Sequence, residues 1–132
     1  MISALDSSVI LDVLTGDVRF ADPSEALLRR AMAEGKLIVC ECVLAEIRPA
    51  FKDDKTLREF LEDWQIEFVP SSCGSTVLAG RSFSRYLERG GRAGRIVPDF
   101  LIGAHALIHA DRLLARDRGF LRDYFARLKV LE

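Results

Sequence analysis

The sequence predicts an α/β fold in which helices cover both faces of a parallel sheet. Short apolar runs alternate with longer segments of helical periodicity along the whole chain, and this alternation is typical of repeated strand–helix units. The apolar runs are continuous, as in strands that are buried on both faces. Because the chain has 132 residues, 49% hydrophobic and 30% charged, we expect one domain over residues 1–132. Right-handed crossovers between such strands produce a three-layer sandwich.

The elements of the first half have local start and stop signals. Asp6 or Ser7 can cap the first helix, because their side-chain oxygens accept from free backbone N–H groups, and Gly16 follows its end. Ser24 is the expected cap of the second helix, and Gly35 ends it. The elements predicted here are a strand at 2–5, helices at 7–14 and 24–33, a strand at 36–40 and a helix at 42–48.

The second half continues the alternation. Pro49 stops one helix, Asp54 is the expected cap of the next, and Pro98 opens a later one. A basic, glycine-rich loop over 90–95 separates two helices, and the apolar face predicted for the first of them includes Val77 and Leu87. The elements predicted here are a helix at 54–64, a strand at 66–69, helices at 75–89 and 98–110, a strand at 112–115, a short helix at 119–124 and a last strand at 128–131.

The composition argues against membrane proteins and disulfide-rich secreted proteins. No segment approaches the roughly 18 uncharged apolar residues of a membrane span, and the first residues lack a signal-peptide pattern. We therefore expect a cytoplasmic protein. The three cysteines are an odd set, and Cys40 and Cys42 lack the two-residue spacer and second pair of a zinc site. We expect these thiols to be reduced and structural.

Charge is distributed unevenly along the chain. The net charge of −1 argues against a protein that binds nucleic acid through overall charge alone. However, residues 1–80 carry 8 basic and 14 acidic side chains, whereas residues 81–132 carry 11 basic and 6 acidic ones. Fifteen of the 19 cationic residues are arginine, the side chain that binds phosphate bidentately. A solvated, arginine-rich helical surface is the alternative explanation.

Four acidic residues are predicted to meet at one edge of the sheet. Asp6 and Asp117 lie at the carboxyl ends of the first and fourth predicted strands. Asp99 opens the helix that leads into the fourth strand, and Glu46 lies in the helix after the second. In open parallel sheets, ligands bind at this edge. Taken singly, each acid has a structural explanation as a helix cap, a turn residue or a solvated side chain.

A cluster of four carboxylates needs a cation. Two like charges about 4 Å apart repel by about 4 kcal/mol at an effective dielectric constant of about 20. Oxygen ligands without histidine or thiolate select hard ions such as Mg²⁺ or Mn²⁺, which bind phosphate oxygens through their remaining positions. The pattern therefore predicts hydrolysis of phosphodiester bonds.

Four segments around these acids resemble, in order and spacing, the motifs of PIN-domain ribonucleases, most closely the toxins of VapBC toxin–antitoxin pairs. The segments are DSSVIL at 6–11, VLAEI at 43–47, PDFLIGAHA at 98–106 and LARDRGF at 114–120. The resemblance covers essentially the whole chain. It implies a parallel sheet in the order 3-2-1-4-5, a Mg²⁺- or Mn²⁺-dependent endoribonuclease, an RNA target, a homodimer and an antitoxin partner.

Within this interpretation the site residues have distinct roles. We expect Asp6 and Asp99 to be the chief metal ligands, with Glu46 and Asp117 completing the cluster directly or through water. Glu46, the longest carboxylate, is the candidate for orienting or deprotonating the attacking water. The expected RNA-backbone contacts are Arg92, Arg95, Arg116 and Arg118.

Two serines that follow Asp6 are expected to support it. Hydroxyl and backbone N–H groups at a helix start can orient a carboxylate or hold a phosphate, and we rank Ser8 ahead of Ser7. Many members of the family carry Thr or Ser where this chain has Ala115, two residues before the last acid. We therefore expect one hydroxyl contact fewer at that position.

Other polar residues are not expected to hold the metal. His105 and His109 have the i, i+4 spacing of helical ligands, but helical geometry puts them on a different side from Asp99, whose face Gly103 shares. We expect surface or interface histidines. Asp12 is offset by about 120° from the direction of the metal and is expected to be solvated.

An antitoxin would cover the acidic site and place an amphipathic segment in an apolar groove beside it. The residues expected to line that groove are Val43, Leu44, Phe51, Phe60 and Trp64.

Three alternatives make different demands on the sequence. A PIN-like domain that binds RNA or protein without cutting does not need all four acids. A phospho-acceptor signalling domain needs an acceptor Asp after the third strand, where Val69 and Pro70 stand. A phosphatase with Asp-x-Asp after the first strand is excluded because Ser8 occupies the second position. The domain that does not cut is the main alternative.

Overall fold

The strands form one parallel sheet. The computed structural model describes residues 1–92, 97–116 and 119–132. Within them the strand order is β3-β2-β1-β4-β5, and every neighbouring pair is parallel, which confirms the order that the resemblance implied. The strands are β1 (Ile2–Leu5), β2 (Lys36–Val39), β3 (Ile66–Phe68), β4 (Arg112–Leu114) and β5 (Val130–Leu131).

Helices connect the strands and flank the sheet, as the α/β prediction requires. The α-helices are α1 (Ser7–Thr15), α2 (Ala21–Glu34), α3 (Glu41–Ile47), α4 (Asp54–Asp63), α5 (Cys73–Glu88) and α6 (Val97–His109). Two short 3-10 helices follow α3 and β4, at Arg48–Ala50 and Gly119–Asp123. None of the helices in the described parts of the chain is long and apolar enough to cross a membrane.

The start of α1 agrees with its local sequence signals. Asp6 has an extended backbone and its side chain accepts from the Ser8 amide, so Asp6 is the N-cap. Gly16 ends the helix in the left-handed region at φ 64°, and its amide donates to the carbonyls of Asp12 and Val13. A side chain at this φ would be strained, which explains why glycine terminates the helix.

The predicted cap of α2 is wrong. Its N-cap is Phe20, and Ser24 lies inside the first turns of the helix. Asp17 starts the helix earlier, because its carboxylate accepts from the amides of Arg19 and Phe20 and its carbonyl accepts from the amide of Ala21. An aspartate turn thus leads directly into α2.

The starts of two further helices also differ from the prediction. Asp53, not Asp54, caps α4, since its side chain accepts from the Thr56 amide at 2.8 Å. Ser72 caps α5 in a capping box with Ser75, which the prediction took as the first residue of the helix. In each case a neighbouring residue of the same chemical type competes for the capping position, and the local sequence does not distinguish them.

The core lies on the central strands, where continuous apolar runs are buried as predicted. Leu5, Val39 and Leu114 are each at most 1% exposed. On α5, however, two residues assigned to the apolar face are open, since Val77 is 52% and Leu87 41% exposed. The rings of Phe83 and Tyr86 pack against Phe100 of α6, and the fully buried residues of α5 are small. The small buried residues are Ser75, Ala79 and Ser82.

Candidate acidic site at the carboxyl edge of the sheet

Asp6 lies at the centre of the candidate site. It directly follows β1 and is 0% exposed, and its amide donates to the carbonyl of Leu114 at the end of β4 at 2.9 Å. Its carboxylate Oδ2 accepts from the Ser8 amide at 3.2 Å and from the Ser8 hydroxyl at 2.5 Å. The crossovers leave β1 and β4 in opposite directions, so Asp6 is fixed at the topological switch point of the sheet.

Both predicted serines contact this site, but with different partners. Ser8 Oγ donates to Asp6 and accepts from the Arg116 amide at 3.1 Å, so one hydroxyl connects the ends of β1 and β4. Ser7 is 4% exposed and its hydroxyl donates to Glu46 Oε2 at 3.4 Å. Ser7 therefore brings the carboxylate of Glu46 to the start of α1. The neighbouring Ala115 is buried and has no hydroxyl to offer.

Glu46 lies on the open side of α3. Val43 and Ile47 are fully buried on one side of this helix, whereas Glu46 is exposed. The apolar neighbours along the sequence thus point into the core and leave the carboxylate in solvent beside Ser7. A long, exposed side chain next to a buried acid can reach a substrate that approaches from outside.

Asp99 is half-buried in the first turn of α6. Because the chain runs along α6 and returns through β4, the start of α6 lies at the carboxyl edge of the sheet, where Asp6 is found. The next residue, Phe100, is fully buried and anchors this turn in an aromatic cluster. Its partners, with ring centroids 5.1–6.4 Å away, are Phe83, Tyr86, Tyr124 and Phe125.

Several predicted site residues lie outside the described parts of the chain. Asp117 and Arg118 follow Arg116, and Arg95 precedes α6, so their roles stay predictions. Arg92 is described and exposed. The structure therefore brings together Asp6, both serines and Glu46, with Asp99 at the same edge.

Arg116 and Asp12 form an ion pair that the sequence analysis missed. Arg116 Nε and Nη2 donate to the two carboxylate oxygens of Asp12 at 3.0 and 2.9 Å, and the guanidinium lies 4.1 Å from the ring centroid of Phe20. The prediction that Asp12 is solvated is wrong, because it is 3% exposed. The guanidinium of Arg116 is thus held by the protein, and its predicted contact with the RNA backbone stays a prediction.

The position of Asp12 in the helical repeat of α1 indicates that its side chain is buried. It lies three residues after Val9, which is 1% exposed, and therefore belongs to the inward face of α1. Burial alone would raise the pKa of Asp12, but hydrogen bonds from Arg116 and Ser24 and the charge of Arg116 outweigh it, and the pKa is lowered. Asp12 is thus a buried carboxylate that stays ionised.

His105 is not a surface residue, contrary to the prediction. It is 1% exposed, and its Nε2 lies 2.7 Å from the carbonyl oxygen of Val69 after β3. Burial lowers its pKa, more than the bond to Val69 raises it. The ring of His109 lies 5.0 Å from that of His105. His105 therefore links α6 to the end of β3.

A second group of possible ligands occurs at the start of α3. One ligand atom from each of Cys40, Glu41 and Cys42 lies within 4.8 Å of the others, and the cysteines form no disulfide. Burial raises the pKa of Cys40, and it raises the pKa of Cys42 to about 12. Glu41 already accepts from the Ser71 amide at 2.7 Å. Without a bound cation these thiols stay protonated at neutral pH, as is typical of buried structural cysteines.

The residues expected to line an apolar groove differ in exposure, and the groove stays a prediction. Val43 is fully buried, whereas the half-buried rings of Phe51, Phe60 and Trp64 pack against one another at centroid distances of 5.5 and 6.4 Å. A cavity of about 480 Å³ lies between α1, α2 and the segment after β4. Its lining includes Val9, Phe20, Pro23, Leu27, Ala115 and Arg116.

Comparison with protein families identifies this fold. The family model for the PIN domain matches residues 4–125. The chain belongs to the PIN domain family. The match includes Asp6, Glu46, Asp99 and Asp117, so all four predicted acids lie within the PIN domain. No curated protein sequence matches the chain.

Three solved structures, two of VapBC proteins and one of FitAcB, have a fold similar to that of this chain. VapBC2 from Rickettsia felis, bound to a DNA fragment from its promoter, is similar over 99% of this chain and 98% of the other, with a TM-score of 0.75 and 19% identity. VapBC-1 from nontypeable Haemophilus influenzae is similar over 100% of this chain and 98% of the other, with a TM-score of 0.72 and 17% identity. FitAcB from Neisseria gonorrhoeae is similar over 100% of this chain and 97% of the other, with a TM-score of 0.66 and 22% identity. At these identities the similarity establishes the fold.

Proposed function

We propose that this PIN domain is a divalent-metal-dependent endoribonuclease that acts in the cytoplasm as the toxin of a toxin–antitoxin pair. The observation that carries the proposal is the fully buried carboxylate of Asp6 at the switch point of the sheet. Ser7 holds Glu46 beside it, and α6 presents Asp99 at the same edge. Buried, crowded carboxylates are costly unless a cation or hydrogen bonds compensate them.

The donor set fits Mg²⁺ or Mn²⁺. Asp6, Glu46 and Asp99 offer only hard oxygen ligands, and Asp117 would add a fourth. His105 is bonded to Val69, so it does not compete for this role. When bound there, the divalent ion would neutralise charge on the phosphate and increase the acidity of the attacking water.

The protein side chains have separable tasks in this scheme. The Ser8 amide and hydroxyl fix the Asp6 carboxylate, so that it does not rotate away from the ligand position. Glu46 is exposed and accepts a hydrogen bond from Ser7, and we propose that its carboxylate orients the attacking water and accepts its proton. Arg92 is exposed, and we propose that it contacts the RNA backbone. For Arg95 and Arg118 this role is proposed from the sequence alone.

We also propose an antitoxin partner and a homodimer, because the similar structures are VapBC and FitAcB complexes. The cavity of about 480 Å³ is mainly apolar and includes Ala115 and Arg116 in its lining. It would receive an apolar segment of the antitoxin next to the acidic site. A cationic side chain of the antitoxin near Asp6 would compensate the same carboxylates without activating water.

The test is expression in a host, followed by cleavage of cellular RNA by the purified protein with Mn²⁺. Wild type should arrest growth and cut RNA, whereas Asp6→Asn should do neither. Glu34→Gln, at the opposite edge of the sheet, is the matched control and should behave as wild type. Co-expression of an adjacent gene encoding the antitoxin should restore growth.

A soluble, Mn²⁺-binding wild-type protein that cuts no RNA and copurifies with no partner from its native host would favour the alternative, a PIN-like domain that binds without cutting. Cleavage that persists in Asp6→Asn would show that the nuclease site lies elsewhere.

A further inference from the structure

We infer that Asp12 and Arg116 are positioning residues that orient the carboxylate of Asp6 through Ser8, an inference that rests on the proposed metal site. Asp12 lies on α1 and Arg116 follows β4, 104 residues apart in sequence. Their effect reaches Asp6 through one backbone amide and one hydroxyl group.

The path consists of three consecutive hydrogen-bonded links. The Arg116 guanidinium donates to both oxygens of Asp12 at 2.9 and 3.0 Å. The Arg116 amide donates to Ser8 Oγ at 3.1 Å, and Ser8 Oγ donates to Asp6 Oδ2 at 2.5 Å. A hydroxyl has a single proton. Because the amide of Arg116 occupies an acceptor position of Ser8, the proton is directed at Asp6.

The ion pair is built to hold Arg116 in one position. The Asp12 side chain is 4% exposed and also accepts from the Ser24 hydroxyl at 2.8 Å, which ties it to α2. On the other side the Phe20 ring stacks under the guanidinium. A bidentate, stacked guanidinium loses rotational freedom that a lysine ammonium in the same place would keep. The backbone of Arg116 is therefore fixed by its own side chain.

The chain contains a matched ion pair at the opposite edge of the sheet. Arg112, the first residue of β4, donates to Glu34 at 2.7 Å and to the Ser3 hydroxyl at 2.8 Å. Like the pair at Arg116, it joins β4 to a flanking helix and includes a serine. It lies away from Asp6, so its loss should reduce stability without changing the site. Glu34→Gln is therefore the control for Asp12→Asn.

The experiment measures three quantities for the full-length protein: the melting temperature without metal, the Mn²⁺ dissociation constant by calorimetry, and kcat for RNA cleavage. Ser8→Ala should weaken Mn²⁺ binding and lower kcat by about 10- to 100-fold, the usual effect of removing a direct partner of a metal ligand. Asp12→Asn should weaken and lower the same two values, by no more than Ser8→Ala does. Glu34→Gln should lower the melting temperature and leave both other values unchanged. Arg116→Lys should reproduce the loss seen in Asp12→Asn and serves if that variant fails to fold.

The Ser8→Ala background tests the path itself. Since the pair acts through Ser8, adding Asp12→Asn to Ser8→Ala should weaken Mn²⁺ binding no further. Two results would overturn the inference. In the first, Asp12→Asn weakens Mn²⁺ binding as much in the Ser8→Ala background as it does alone. In the second, Asp12→Asn binds Mn²⁺ as tightly as Glu34→Gln does. If wild type cleaves RNA and only these variant results fail, the inference alone is wrong. A wild type that neither binds Mn²⁺ nor cleaves RNA overturns the proposed function and the inference together.

Discussion

Replacing Asp6 by Asn separates its helix-capping role from its proposed metal-binding role. Asn is as good an N-cap as Asp, so the bond to the Ser8 amide survives. The bond from the Ser8 hydroxyl changes from charged to neutral, which costs about 1 kcal/mol. Removing one of several neighbouring negative charges offsets part of this cost. Without metal we therefore expect Asp6→Asn to melt within about 4 °C of wild type, at about 4 °C per kcal/mol for this size.

Asp6→Ala is the matched comparison. It removes the cap, at about 1 kcal/mol, and leaves the buried donor of Ser8 without its acceptor, at about 1–2 kcal/mol more. Its melting temperature should fall by about 8–12 °C without metal. The two variants thus differ in stability, although both remove the carboxylate.

The assay is thermal unfolding in chelator and at increasing Mn²⁺ concentrations. For wild type, Mn²⁺ at about 100 times its dissociation constant should stabilise the folded state by about 2.7 kcal/mol, or about 10 °C. Neither Asp6 variant should respond. If Asp6→Asn melts as early as Asp6→Ala in chelator, or if Mn²⁺ stabilises it as it does wild type, the reasoning is wrong.

Three further predictions follow from the fold. Asp99→Asn should abolish the Mn²⁺-induced rise in melting temperature and His109→Ala should keep it; the opposite pattern would make the histidine a ligand. Gly103→Ala should cost about 1 kcal/mol in urea unfolding, because an added Cβ would lie 2.7 Å from the buried Phe125 ring, a clash that exceeds the gain in helix propensity. Because the pKa of His105 is lowered in the folded protein, the unfolded chain binds a proton at this residue at a higher pH than the folded protein does. The free energy of unfolding should therefore fall as the pH decreases below about 6.5. In His105→Gln the melting temperature should decrease less over the same pH range.

Much of the candidate site was accessible from the sequence, because it depends on local rules and on the topology of a parallel sheet. Asp6 follows an apolar run and precedes a helix, and both features are read from adjacent residues. Asp99 follows Pro98 at a helix start in the same way. Parallel strands place their carboxyl ends together, so residues that follow different strands share one edge. This reasoning could not reveal which hydrogen bonds hold these acids.

The sequence predictions of exposure failed where the burial of a side chain depends on which other element packs against it in the folded protein. Val77 was assigned to the apolar face of α5, yet it is 52% exposed. His105 was assigned to the surface, yet the end of β3 covers it and supplies the Val69 carbonyl as its partner. Helical periodicity identifies residues that share a face, but it does not identify the element that packs against that face. Both errors are of this kind.

The sequence by itself determined the α/β class, the alternation of strands and helices and the edge of the sheet at which Asp6 and Asp99 lie, because each follows from interactions within a few residues or from chain direction. Only the tertiary structure decided that Asp12 is buried and paired with Arg116, 104 residues away. A buried carboxylate remains ionised only when a distant cation and hydrogen-bond donors replace its water. Whether a polar residue is solvated, paired or part of a site therefore depends on contacts made after the chain has folded.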